Sequence, residues 1–186
     1  MKRTLAALVV MLFLCGCNSS SDCSQRGMEV RQKLLDASGC SFTSVVNADF
    51  GNTEYSFKLD CAVDKDGTLS FTVVEPDSIA QIKGSVDKKS GSLRFDDTVL
   101  AFPHLAEGEI SPVCAPWLFY KALSGGYVRA CGKEENNWRV SIDDSFMGEN
   151  LGVEIWLDSG NKPKYAEIIW QGRKLLSLEI SDFTYL

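Results

Sequence analysis

The chain has 186 residues, 45% of them hydrophobic, enough for one domain with a proper core and short for two. Its 25 Asp and Glu outweigh 19 Lys and Arg, giving a formal charge of −6 that no block of basic residues interrupts. Phosphate backbones are neutralised by clustered Lys and Arg, so no nucleic-acid partner is expected, and anionic headgroups repel such a surface.

In chain order, Lys2 and Arg3 precede an apolar run ending at Leu14. The run matches a secretory h-region and falls short of the ~20 residues a bilayer-spanning helix needs. It closes on Leu14-Cys15-Gly16-Cys17, which resembles a bacterial lipobox: an aliphatic residue, two small residues, then a cysteine that is diacylated and becomes the new N-terminus. Leu14 is too bulky to stand just before the cut, so Cys17 rather than Cys15 is the lipidation site. Residues 1–16 are then a lipoprotein signal peptide, 17–23 the lipidated cysteine with a polar tether, and 24–186 a single domain. This places the chain at the extracytoplasmic face of the bacterial cell membrane, held by a diacylglyceryl anchor.

Of seven cysteines, this leaves Cys23, Cys40, Cys61, Cys114 and Cys131, an odd set that cannot all pair within one chain. Export permits disulfides, and Cys114 with Cys131 is the preferred pair if one forms. No C-x-x-C spacing suggests zinc or thioredoxin chemistry, and neither metal nor cofactor is expected.

After the tether, Asp22 or Ser24 caps a helix to about Ala37, with Met28, Leu34 and Leu35, flanked by Val30 and Ala37, on one broad face and Gly39 as the stop. From Ser41 the apolar period becomes two, first with Phe42, Val46, Ala48 and Phe50. Tyr55, Phe57, Leu59, Cys61 and Val63 follow, then Leu69, Phe71 and Val73, the pattern of half-buried antiparallel strands. The Asp64-Lys65-Asp66-Gly67 turn between them lacks the later ligands of a calcium loop and reads as a hairpin turn. Short strands are predicted around Ile82–Val86, Leu93–Phe95 and Thr98–Phe102.

Ser111-Pro112 is a helix-start signal. The helix that follows, through Trp117-Leu118-Phe119-Tyr120 to Gly125-Gly126, is apolar nearly all round and must be enclosed, as an ordinary core helix or as a plug in a concave sheet. Strands resume at Trp138–Ile142, Leu151–Leu157, Tyr165–Gln171 and Leu176–Ile180. The fold class is therefore α+β, mainly β: about ten strands in one strongly curved antiparallel sheet, an incomplete barrel, since so many strands rarely stay flat and open.

This order of elements resembles the LolA/LolB-like superfamily of lipoprotein carriers and receptors and the related lipoproteins of Gram-positive envelopes. The likeness rests on the helix followed by long hairpins, on Glu75-Pro76-Asp77 before Ile82-Lys83-Gly84, and on the Ser111-Pro112 helix. It rests also on the closing pattern Val153–Asp158, Pro163, Tyr165–Gly172 and Ile180-Ser181-Asp182-Phe183. It implies an incomplete barrel whose concave side, covered by helices, holds acyl chains or serves as a protein-binding surface. The carrier itself is soluble, whereas a lipobox here suits a tethered binding protein better.

Catalysis is not expected: a Ser-His-Asp site would have to use the lone His104, no G-x-S-x-G elbow surrounds a serine, and Asp96-Asp97 and Asp143-Asp144 are chain neighbours that point to opposite strand faces. The first functional reading is a binding protein that takes the acyl chain of a lipid or lipoprotein in a half-barrel cavity. Phe57, Leu59, Phe71, Val73, Trp117, Phe119, Val153 and Ile155 are its candidate lining. The second is an interaction lipoprotein with a filled interior that presents a surface to a cell-wall enzyme, with Trp156, on the polar side of its strand, as a candidate anchor.

Overall fold

The computed structural model describes residues 18–186 apart from 96, 97, 104, 107, 108 and 147. The signal peptide, Cys17, His104 and the Asp96-Asp97 pair lie outside the described residues. Helix α1 (Asn18–Asp36) leads into β1 (Gly39–Asp49), β2 (Glu54–Asp64), β3 (Leu69–Glu75), β4 (Lys83–Val86), β5 (Gly91–Phe95) and β6 (Thr98–Phe102). A short pair, β7 (Leu105–Ala106) with β8 (Glu109–Ile110), and a 3-10 turn at Pro112–Cys114 precede helix α2 (Ala115–Gly125). The chain closes with β9 (Tyr127–Glu134), β10 (Asn137–Phe146), β11 (Glu149–Leu157), β12 (Pro163–Trp170) and β13 (Arg173–Tyr185).

Eleven strands form one antiparallel sheet in the order β6-β5-β4-β3-β2-β1-β13-β12-β11-β10-β9, which is not closed into a barrel. Each strand rotates against its neighbour by roughly 20–25°, so a sheet of this width curls. The curl is visible at Trp117 of α2. Its Nε1 donates to the Gly67 carbonyl in the β2–β3 turn (3.1 Å), while its ring stands 6.3 Å from Phe146 at the end of β10. One indole thus touches both halves of the sheet. Phe42 on β1 meets the edge of Phe119 on α2 at 5.7 Å and stacks on Phe183 of β13 at 5.8 Å.

The tight hairpins follow from local chemistry. Asp64 Oδ1 accepts the N–H groups of Asp66 (2.9 Å) and Thr68 (3.0 Å), and Asp87 Oδ1 does the same for Lys89 (2.6 Å) and Ser90 (3.0 Å). Both are aspartate-closed turns that set the register of the strands they join. Gly39 starts β1 where any Cβ would lie 2.1 Å from the Val63 carbonyl, so the close approach of β1 to β2 requires glycine there.

Four expectations need correction. Helix α1 begins at Asn18, so the segment read as a polar tether has helical backbone. Its buried stripe is Cys23, Gly27, Val30 and Leu34, spaced four, three and four residues apart, while Met28 (52% exposed) and Leu35 (59%) face away. The expected face was too broad, because a single apolar stripe suffices where a helix lies on one sheet edge. Ser111 contributes no side-chain cap; its carbonyl accepts from Cys114 N (2.9 Å), and the Pro112–Cys114 turn starts the helix instead.

The fourth correction concerns the disulfide. Cys131 pairs with Cys23, not with Cys114, across a Cα–Cα distance of 5.6 Å and 108 residues of chain. Cys131 lies on β9, the edge strand against which α1 packs, whereas Cys114 is fully buried at the start of α2 with its thiol free. The bond fixes α1 to the sheet edge. A second link is Arg31 of α1, which donates from Nε to Leu123 O (2.8 Å) and from Nη2 to Gly126 O (2.5 Å). These carbonyls sit at the C-terminal end of α2, where helix oxygens lack intrahelical partners and cations are favoured.

Candidate functional site

The concave side of the sheet was the expected ligand cavity. Of the eight candidate lining residues, Leu59, Val153 and Ile155 are fully buried, and Phe71, Val73, Trp117 and Phe119 are 1–4% exposed. Phe57 is half-buried and packs against them. All eight belong to or border one continuous hydrophobic cluster that takes in Leu118, Ala122 and Leu123 of α2 and the inner residues of β1, β10, β12 and β13. Between the core helix and the plug left open by the sequence, the geometry gives both: α2 is a core helix that fills the concavity. Full burial of a Leu or Phe side chain stabilises by about 1.5–3 kcal/mol, so each of these side chains contributes to the core.

Two of the paired acids point to opposite sides, as adjacent strand residues must. Asp143 meets Arg129 Nε at 3.3 Å on the outer face, and Asp144 accepts from Lys121 Nζ of α2 at 2.5 Å. No group of three or more His, Cys, Asp or Glu side chains with metal-binding geometry occurs among the described residues.

The free thiols of Cys40, Cys61 and Cys114 are all buried. Burial pushes Cys40 and Cys114 up to about 12, and it pushes Cys61 up further, with the charge of Asp60 and then Cys40 adding to it. A thiol whose folded pKa is raised contributes stability that is complete below the ordinary thiol value of about 8.5 and is lost as the pH climbs from there towards 12. Thiolate is the reactive form, so a thiol reagent at pH 8 is expected to label none of these three in the native domain and all three after unfolding without reductant, as counted by mass spectrometry.

The outer face of β9–β12 carries a different constellation. Trp156 is half-buried against Tyr165, with ring centroids 5.2 Å apart, and its Nε1 donates to Glu134 Oε2 at 3.0 Å. Beside it, Glu154 accepts from Ser141 Oγ at 2.5 Å and lies 3.3 Å from Arg129 and 3.6 Å from Arg139. The cover that a Trp on a polar strand face requires is thus supplied by Tyr165 and by an ordered ionic network. The indole and phenol remain at the surface, the aromatic and arginine chemistry found at the centres of protein interfaces.

No family model matches the sequence, and no curated protein matches it. Among solved structures, the chain is similar to a LolA superfamily protein from Nitrosomonas europaea, with 11% identity and a TM-score of 0.44 over 86% of this chain and 93% of that one. It is similar also to a structure of the CwlD amidase from Clostridioides difficile in complex with the GerS lipoprotein, with 12% identity and a TM-score of 0.43 over 86% and 93%. A third is the Mycobacterium tuberculosis lipoprotein LppX, with 11% identity and a TM-score of 0.38 over 84% and 94%.

Proposed function

We propose that this chain is an exported, lipid-anchored and non-enzymatic envelope protein that acts by presenting its outer sheet face to a protein partner. The observation that supports this reading is the burial of α2 against the sheet: Trp117, Leu118, Phe119, Ala122 and Leu123 are each 0–3% exposed. An acyl chain needs a hollow lined by apolar side chains, and close-packed interiors leave none without repacking. The Trp156–Tyr165 pair with Arg129 and Arg139 then supplies the recognition chemistry. Attachment is assigned to Cys17, and no helix among the described residues is long and apolar enough to cross a membrane.

Purification of the tagged protein from its own membranes in mild detergent, followed by native mass spectrometry, tests the reading. The expected result is a stoichiometric protein partner retained by the wild type and by Phe57→Ala but lost from Trp156→Ala, and no fatty-acid adduct on the domain from Asn18 onward. An acyl-chain adduct that Phe57→Ala weakens and Trp156→Ala leaves alone would return the function to the cavity.

A further inference from the structure

The outer face of the opposite half of the sheet is built on two neighbouring rows. In the first, Ser41, Ala62, Ser70, Ser85 and Ser92 stand directly opposite one another across β1 to β5. In the second, Thr43, Asp60, Thr72, Lys83 and Arg94 do the same. Directly opposed residues of antiparallel strands share a face, so each row is a continuous line of side chains. The first row is small, the face sinks along it, and a groove of about 690 Å³ results, reaching from Asp182 at the β1 end to Arg94 and Val99 at the β6 end.

Lys83 and Arg94 face each other directly on β4 and β5, an arrangement that costs a sheet stability because like charges oppose. Neither makes an ion pair or a side-chain hydrogen bond among the described residues. Of the acids that line the groove, Asp60 lies two strands from Lys83, about 10 Å at ordinary strand spacing, and already accepts the Thr43 hydroxyl at 2.9 Å. Asp182 is further still, beyond β1. Beside the two cations, Ser85 Oγ and Ser92 Oγ are 3.0 Å apart, which uses one of their two O–H donors and leaves the other free, and Ser70 and Thr72 add two more hydroxyls. The β4–β5 end of the groove is thus a donor set of guanidinium, ammonium and hydroxyls.

That set matches an oxyanion with several oxygens. A guanidinium fork binds two of them, and an ammonium with hydroxyls takes the others. We infer that this groove binds a phosphate group, carried either by a soluble polyol phosphate or by a lipid headgroup. The overall charge of −6 opposes long-range attraction of anions, so the recognition is local and weakens with salt. The inference stands apart from the partner reading, since Trp156 lies on the other half of the sheet.

Calorimetric titration of the full chain in a neutral detergent tests it, with glycerol 3-phosphate as one probe and soluble dihexanoylphosphatidylglycerol as the other. Saturable binding is expected, and the tighter probe names the source: the first a polyol phosphate, the second a headgroup. Lys83→Ala and Arg94→Gln should each weaken it about tenfold, the factor that ~1.4 kcal/mol gives. Ser92→Val, which keeps both cations but fills the hollow, should weaken it as well. Lys65→Ala, in the β2–β3 turn, should leave it unchanged. All four positions are on the surface or half-buried, and circular dichroism checks that each variant folds. Failure of both probes to saturate, or binding that survives Lys83→Ala and Arg94→Gln, overturns the inference.

Discussion

Replacing Phe119 by alanine is expected to lower the unfolding free energy by about 3–5 kcal/mol, the range for removing a buried aromatic from a close-packed core. Phe119 is 1% exposed at the centre of α2, its ring in edge contact with Phe42, and it belongs to the core cluster that joins α2 to the sheet. Such a site cannot collapse onto the space left behind, which is why the upper part of the range applies. The measurement is the urea midpoint of the domain from Asn18 onward, with an unchanged slope, beside Leu100→Ala as a control. Leu100 is 59% exposed on β6, and its loss should stay within about 0.5 kcal/mol. The same experiment divides the two functional readings. If the concavity were built to admit an acyl chain, Phe119 would be part of a soft lining, and its truncation would cost little and raise affinity for apolar probes. A large loss of stability fits an interior that has no such vacancy.

How much of this was legible beforehand follows from what each element needs. Strands with one buried face announce themselves: Leu69, Phe71 and Val73, and Leu151, Val153, Ile155 and Leu157, alternate in the sequence and are all buried in the fold. Helix α2 is as plain, because a segment apolar on every side has nowhere to go but inside. Strand β9 escaped because it is an edge: most of Tyr127–Glu134 is exposed, with Tyr127 at 73%, so no alternation marks it. Missing β9 also hid the disulfide, since Cys131 finds Cys23 only once β9 is placed under α1.

The groove on the outer face was illegible for a further reason. Ser70, Ser85 and Ser92 read as the polar alternates of three separate strands, and nothing in the sequence says that they align. Lys83 and Arg94 meet because the Asp87–Ser90 turn fixes the register of β4 on β5, a matter of backbone hydrogen bonds rather than of side-chain pattern. Sequence periodicity reports which face is buried. It says little about which outward-facing side chains become neighbours, and both candidate surfaces of this protein are made of outward-facing side chains.

Loss of the Cys23–Cys131 bond is expected to be comparably damaging. The bond closes 108 residues of chain, and a loop of about 100 residues restricts the unfolded state by an entropy worth roughly 4–5 kcal/mol. For a domain of this size that is a fall in melting temperature of about 10 °C. The double variant Cys23→Ala/Cys131→Ala avoids placing a hydroxyl at the fully buried Cys23, and scanning calorimetry with and without reductant gives the comparison. Reductant should lower the wild type to the level of the variant and leave the variant unmoved, because the remaining thiols, Cys40, Cys61 and Cys114, are free already. The position of the bond gives the loss a mechanical meaning. Cys23 lies a short way beyond Cys17, so a pull at the lipid anchor proposed there would reach the sheet through α1. With the bond intact, such a pull would be carried by edge strand β9. Without it, α1 is held by the stripe of Gly27, Val30 and Leu34 and by the Arg31 hydrogen bonds to the end of α2. Amide exchange along α1 should therefore accelerate in the double variant well before exchange in β11 to β13, whose pairing does not depend on the helix. Equal acceleration across the sheet would mean that α1 and the strands unfold as one unit and that the bond protects the whole domain rather than its N-terminal helix.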